Sequence, residues 1–312
     1  MPDQFTLLHF FARMQEEKQN RRYNGTLLQN APMQEYCSFH IGGTAALLAR
    51  PADIPSLCLL LREAYAAHIP VILLGMGSNV LLPDGVFGGI LIITRDLRNI
   101  EINGTKATAE CGASLNSLIL RCAAADLGGL ELLYGIPASV GGAAYMNAGA
   151  HGVSFGTSVL CLEAYDPRTD RIVTLSNEEL AYAYRKSALQ AQSTLAVTRL
   201  TLSLNPTPED VIRARIREVV HRRALSQPLA LPSAGSAFLR PCESLEVWRL
   251  VDACGLRGYR VGGAAVSEKH AGFIVNCGGA TARDVRLLMD HIRAAVLARH
   301  GVTLIPEICI FE

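Results

Sequence analysis

The segment from Gly128 to Gly152 constrains this chain more than any other. It holds seven glycines and almost no charge beyond Glu131 and His151. Glycine loses more backbone freedom on folding than any other residue, so so dense a run weakens any helix or strand it enters. Two arrangements account for it. The glycines can form buried turns between packed elements, or their backbone N–H groups can gather around a phosphate-bearing ligand. The segment alone does not separate the two.

A second glycine loop bears on the choice. The apolar run Val71–Leu74 has strand character and ends in Gly75-Met76-Gly77-Ser78-Asn79, after which Val80-Leu81-Leu82 is again strand-like. A dinucleotide fingerprint would place a third glycine where Val80 stands and then open a helix, so this is not a Rossmann loop. It offers N–H groups and the Ser78 and Asn79 side chains to a ligand.

With both loops in place the chain resembles the UDP-N-acetylenolpyruvoylglucosamine reductase family, flavoenzymes of bacterial peptidoglycan precursor synthesis. The matching segments are collinear: SFHIGGTAALLARP (38–51), LLGMGSNVLLPDGVFGGILI (73–92), LELLYGIPASVGGAAYMNAGAHG (130–152), YAYRKS (182–187), QPLALPSAGSAFLRP (227–241), GGAAVSEKHAGFIVN (262–276) and GVTLIPEI (301–308). The resemblance spans residues 35 to 310. Met76 and Ala138 stand where the family often has glycine, and Leu239-Arg240 where it often has Lys-Asn.

Bulk properties suit an enzyme of two or three domains. The chain has 312 residues, half of them hydrophobic, with 29 basic against 28 acidic side chains. A net charge of +1 argues against a nucleic-acid track. The nine cysteines are scattered without CxxC spacing, which excludes zinc and dithiol motifs and points to buried free thiols in a reducing compartment. No His/Asp/Glu constellation has metal-ligand spacing, so no metal is expected. The N-terminal cluster Phe5–Ala12 is too short for a signal peptide, and no apolar run approaches membrane-spanning length. A cytoplasmic protein, monomeric or weakly oligomeric, is expected.

Residues 1–34 read as an arm with one amphipathic helix up to Arg22, which packs on the body, contacts a partner or extends into solvent, packing being the first choice. Residues 35–94 read as a βαβ-like lobe whose helix starts at Asp53-Ile54-Pro55. Residues 95–204 read as short strands, among them Val159–Tyr165 and Leu195–Leu204, with a capping box at Ser176–Glu179. Residues 205–312 form the last region. Thr207 and Pro208 begin a basic helix reaching Ala224, and further helices are expected at Ser244–Ala253 and Ala282–Arg299, the latter between Thr281 and Gly301. The resemblance implies an α+β fold. A two-lobed FAD-binding region of the vanillyl-alcohol-oxidase (PCMH) type, lobes 35–94 and 95–204, precedes a separate α+β substrate-binding domain in its shorter form.

The reaction that the resemblance implies is reduction of an enolpyruvyl ether, with FAD held non-covalently and NADPH as hydride donor. Hydride addition to the terminal alkene carbon drives charge into the carboxylate, and the enediolate needs stabilisation and one proton. By resemblance Arg185 holds the carboxylate, Ser236 donates the proton, and Glu307 orients or polarises the intermediate. Without it, Arg185 reads as a surface arginine, Ser236 as a turn serine with Ser233 its rival, and Glu307 as a strand-edge carboxylate. A lone carboxylate among apolar residues needs a partner if buried. The FAD contacts implied are Gly75, Gly77, Ser78, Asn79, Tyr134, Gly135, Ile136, Pro137, Gly141, Gly142, Asn147, Gly149 and Ala150. Tyr184 and Arg223 resemble contacts to UDP-N-acetylenolpyruvoylglucosamine, and both could equally be structural. His270 reads first as an organiser of its turn, and His40 and His151 as scaffold. Two other readings stay open: a related FAD oxidoreductase acting on a hydroxy acid or alcohol, and a non-catalytic flavoprotein scaffold. The first leaves the joint presence of Arg185, Ser236 and Glu307 unexplained, and loss of any of them would favour the second.

Overall fold

The computed structural model describes residues 4–192, 194–242 and 244–312. Met1 to Asp3 of the expected arm, Ser193 and Glu243 lie outside the described residues. The chain forms two compact units, one of Met1–Ala31, Ala45–Met76 and Gly88–His221, the other of Pro32–Thr44, Gly77–Phe87 and Arg222–Glu312. The C-terminal unit thus includes two segments, 32–44 and 77–87, that sequence reading gives mainly to the first lobe.

Helix α1 (Gln4–Gln19) buries Phe10 and Met14, which are four residues apart and so share a face. Arg13 pairs with Glu63 at 2.8 Å. Within the expected arm the chain then turns into a strand, β1 (Gly25–Pro32), which joins a sheet. Its short Leu27-Leu28 core between polar residues gave no strand signal in sequence. β2 (Thr44–Pro51) leads to α2 (Ile54–Ala66), capped by the Asp53 carboxylate, which accepts the Ser56 N–H at 2.8 Å. β3 (Val71–Leu74), β4 (Val80–Leu81) and β5 (Val86–Ile93) follow. The first sheet has the order β1-β2-β5-β3, with β5 parallel to β3, while β4 does not enter it.

β6 (Ile100–Asn103) and β7 (Lys106–Glu110) form a hairpin, followed by α3 (Leu115–Ala123), β8 (Leu127–Gly128), α4 (Val140–Tyr145), β9 (Gly149–Ala150) and β10 (Val153–Ser154). Then come β11 (Val159–Asp166), β12 (Arg171–Ser176), α5 (Asn177–Leu180) and β13 (Ala196–Ser203). The second sheet has the order β12-β11-β13-β7-β6. Its inner residues, Leu162 and Leu200 among them, share one core with Ile90 and Ile92 of the first sheet and with Leu118 of α3. α5 carries the expected capping box, Ser176 with Glu179.

β14 (Asn205–Pro206) pairs with β8, and α6 (Glu209–Ser226) follows. Thr207 is not the acceptor at the start of α6. Its hydroxyl donates to Asn205 O, while Asp126 accepts the Glu209 N–H at 2.8 Å. The remaining elements are β15 (Ser233–Ser236), α7 (Val247–Ala253), β16 (Arg260–Val261), β17 (Ala264–Val266), β18 (Phe273–Asn276), α8 (Ala282–His300) and β19 (Cys309–Ile310). The third sheet has the antiparallel order β15-β18-β17-β16. α7 starts at Val247, three residues later than expected from Ser244, because the chain first makes a Cys242–Leu245 bridge. β19 pairs in parallel with β4, which explains why β4 left the first sheet. No helix among the described residues is long and apolar enough to cross a membrane.

Candidate active site

In the first unit, Gly75 ends β3 beside Ser139. A Cβ on Gly75 would run into the Ser139 hydroxyl, which caps α4 by accepting the Gly142 N–H at 3.1 Å. A Cβ on Gly141 would lie 2.9 Å from the Cys111 side chain, and the Gly141 N–H donates to Cys111 O at 2.8 Å. These are close backbone approaches that only glycine permits. Arg95 grips the same turn, donating from Nε to Gly75 O at 3.1 Å and from Nη2 to Met76 O at 3.0 Å. The Tyr134–Pro137 turn is tied by the Gly135 N–H, which donates to Asn116 Oδ1 at 2.8 Å.

The Arg185 turn lies against the glycine-rich segment of the same unit. Asn147 is buried and left-handed, with φ 44°; its amide donates to Ala183 O at 2.8 Å and accepts the Gly156 N–H at 2.9 Å. Arg185 is itself left-handed (φ 55°) and donates to Gly149 O at 2.9 Å, with its guanidinium over the exposed Tyr184 ring at 5.4 Å from the centroid. A Cβ on Gly149 would come within 3.0 Å of that guanidinium. Arg185 is therefore a half-buried member of a built turn, not a surface arginine after a helix. Close by in sequence, the Tyr182 hydroxyl is buried without a hydrogen-bond partner among the described residues, and burial pushes its pKa well above the usual tyrosine value.

In the second unit, Ser236, Glu307 and Asn79 come together. β15 pairs with β18 at Ser233↔Val275 and again at Ser236↔Phe273, so β15 holds one extra residue. That bulge contains Gly235 at φ 79°. A bulge turns the following side chain away from the regular alternation, and Ser236 is exposed. Beyond it, Phe238 bridges Pro306, and the Glu307 N–H donates to Ala237 O at 3.0 Å. The Asn79 side chain donates to Glu307 O at 3.0 Å, and Asn79 O accepts the Cys309 N–H at 3.0 Å. Gly77 is left-handed, its carbonyl taking the Ser38 N–H at 3.0 Å, and Ser38 Oγ donates to Ser233 O at 2.7 Å. Ser78 and Glu307 are half-buried. Arg223 is also in this unit, and burial pulls its pKa below the usual arginine value.

The three expected catalytic residues are thus divided: Arg185 in the first unit, Ser236 and Glu307 in the second. Sequence reading missed Arg95, Asn116, Ser139 and Ser38. Ser139, three residues before Gly142, carried a legible N-cap spacing. Arg95 and Asn116 act on backbone distant in sequence and carried none. All nine cysteines are free, but Cys242 and Cys277 are exposed, against the expectation of burial throughout. Among the described residues no group of three or more His, Cys, Asp or Glu side chains could hold a metal.

Comparison with known proteins shows the family. Residues 45–176 match the family model of an FAD binding domain, and residues 227–311 match that of the UDP-N-acetylenolpyruvoylglucosamine reductase C-terminal domain. The class is thereby an FAD-dependent oxidoreductase with a separate C-terminal domain. The UDP-N-acetylenolpyruvoylglucosamine reductase of Thermotoga petrophila is 41% identical over 88% of this chain and 94% of its own. That of Moorella thermoacetica is 42% identical over 90% and 92%. The crystal structure of the Thermus caldophilus reductase superposes with a TM-score of 0.78 at 32% identity, covering 93% of this chain and all of that one. The chain belongs to the UDP-N-acetylenolpyruvoylglucosamine reductase family. The buried Tyr182 hydroxyl has bonding capacity for the FAD this implies, whereas Gly75 and Gly141 are required by close packing against Ser139 and Cys111.

Proposed function

We propose that the protein reduces the enolpyruvyl ether of UDP-N-acetylenolpyruvoylglucosamine to UDP-N-acetylmuramate in cytoplasmic peptidoglycan precursor synthesis, with NADPH as hydride donor. FAD, when bound non-covalently, supplies the hydride. The residues that would hold it are Gly75, Gly77, Ser78 and Asn79, the Tyr134–Pro137 turn, Gly141, Gly142, Asn147, Gly149 and Ala150. The lobes 35–94 and 95–204 carry that cofactor role and residues 205–312 the substrate, in a monomer or weak oligomer.

The chain's own residues then have separable tasks. Arg185 pairs with the substrate carboxylate, since a guanidinium stays charged and binds a carboxylate through two parallel hydrogen bonds. Its charge counts most once the substrate is an enediolate. Ser236 gives its hydroxyl proton to the carbon bearing the carboxylate. An enediolate carbon is basic enough that the serine needs no depressed pKa. Glu307 orients the intermediate, and Tyr184 and Arg223 bind the nucleotide sugar.

The observation that carries this reading is the bulged β15 edge, which exposes Ser236 one residue from the backbone bond that ties down Glu307. Two measurements test it. The visible spectrum of the purified protein should show a flavin band that NADPH bleaches anaerobically and the enolpyruvyl nucleotide restores; bleaching without restoration would sink the substrate assignment. Ser236→Ala should keep flavin and bleaching but slow restoration about 10²–10⁴-fold, the usual worth of a positioned acid. Turnover at the native rate would remove Ser236 as proton donor.

A further inference from the structure

We propose that His270 is a positioning residue for Ser236 and Glu307: its neutral imidazole, by accepting the Gly272 N–H, sets the turn on which the β15 edge is hung. The proposal rests on Ser236 being the proton donor and adds to that reading the group that aligns it.

A chain of hydrogen bonds links the ring to the pair. His270 Nδ1 accepts the Gly272 N–H at 3.2 Å. Gly272 O accepts the Ala237 N–H at 2.9 Å, and Ala237 O accepts the Glu307 N–H at 3.0 Å. Glu307 O in turn accepts from the Asn79 side chain at 3.0 Å. Phe273, the residue after Gly272, is the β18 partner of Ser236. Any shift of Gly272 therefore moves Ala237, and with it the neighbours on both sides of the bulge.

The ring is itself held in place. It meets Phe273 edge-on, with centroids 5.0 Å apart, and tilts against Trp248 of α7 at 6.1 Å. A Cβ on Gly272 would lie 3.1 Å from the ring, so imidazole and Gly272 backbone are in direct contact. The His270 N–H donates to Ser267 Oγ at 3.2 Å, which closes the turn from its other end.

An imidazole nitrogen accepts a hydrogen bond only without a proton. Burial is the main influence on His270 and, with Arg257, holds the pKa below the ordinary 6.5, while a backbone hydrogen bond at His270 and Glu246 ahead of α7 act the other way. The other charged groups of the elements packed here are the Glu268 carboxylate, beside Gly258, and three cations with partners. Arg257 pairs with Asp252 and donates to Glu268 O at 2.7 Å, Lys269 donates to Ala224 O at 2.6 Å, and Arg249 lies over the Trp248 ring. Accepting the Gly272 N–H requires the neutral ring, the form that burial favours. In acid it gains a proton, turns a donor toward the Gly272 N–H, and the turn loses its anchor.

The test is rapid-mixing reoxidation of the NADPH-reduced holoenzyme by UDP-N-acetylenolpyruvoylglucosamine, in native protein, His270→Phe, His270→Asn and Ser236→Ala. His270→Phe keeps an aromatic ring without the acceptor, and its reoxidation should slow about 10- to 100-fold, as for a reacting group displaced by about 1 Å. NADPH bleaching and FAD content should stay native. His270→Asn can accept the N–H two residues on; it should restore the rate and lack the fall in rate expected of native protein in acid, below 6.5. A native rate in His270→Phe, or equal slowing in both His270 variants, overturns the positioning role. If His270→Phe does not retain FAD, identical acid limbs in native protein and His270→Asn overturn it. A native rate in Ser236→Ala is a separate result and overturns the proton-donor reading instead.

Discussion

Gly235 shows how much of a reactive side chain's placement can rest on one residue without a side chain. It occupies the bulge in β15 at φ 79°, and a Cβ there would meet open space. The penalty for Gly235→Ala is therefore conformational alone, about 1–2 kcal/mol, and urea unfolding should show it. Restoration of the flavin band by substrate should slow as well, because Ser236 is the next residue. The cysteines supply a second residue-scale prediction. Burial pushes the Cys111 and Cys122 thiols up to about 12 each, whereas hydrogen bonding with Ser244 lowers that of exposed Cys242. An aromatic disulfide reagent at mildly alkaline pH should modify Cys242 first, and Cys111 and Cys122 only after denaturation, as peptide mapping would show. At this scale the motifs singled out Ser236, Glu307 and Arg185 as candidates, because motifs are strings of residue types. The left-handed backbone of Arg185 and its bond to Gly149 were not, since a surface arginine and a turn arginine have the same letters around them.

Helix ends separate local from distant causes most clearly. α8 is capped from within: the Thr281 side chain accepts the Asp284 N–H, the Asp284 side chain accepts the Thr281 N–H, and Gly301 ends the helix at φ 66°. Thr281 as the start and Gly301 as the stop were read from sequence; the return bond of Asp284 was not. Thr281→Ala should cost about 0.5–2 kcal/mol in urea unfolding. The Asp284 carboxyl is held below its ordinary 3.8, chiefly by the Thr281 backbone N–H. Its contribution is complete above that pH and is lost as pH falls through the depressed folded value. The stability difference between native protein and Asp284→Asn should accordingly shrink in acid unfolding below pH 3.8. By contrast, Asp84 accepts the N–H groups of Ala282, at 2.5 Å, and Arg283, at 3.0 Å, and Asp126 caps α6 in place of Thr207. Both carboxylates come from far along the chain, so neighbouring residues gave no sign of them.

At the scale of the molecule, the arm is part of the first unit's core. Phe10 and Met14 are buried with Leu57, Leu60 and Ala64 in one cluster. Met14→Ala should cost about 2–5 kcal/mol, the range for emptying a packed core site, and should leave flavin reduction by NADPH unchanged in whatever protein stays folded. Saturating FAD should raise the melting temperature, since about 100 Kd of a ligand that binds only the folded state contributes about 2.7 kcal/mol.

By itself the sequence determined most element types, the locally capped helices α2, α5 and α8, the glycine turns and the family, all of which rest on short-range backbone preference and collinear motifs. The tertiary structure alone decided that β4 leaves the first sheet to pair with β19, that 32–44 and 77–87 join the C-terminal unit, and that His270, Gly272, Ala237, Glu307 and Asn79 share one hydrogen-bonded chain. Each of these joins backbone N–H and carbonyl groups from distant parts of the chain. Every residue but proline carries the same two groups, so residue type gives no notice of the partner, and only the packed fold selects it.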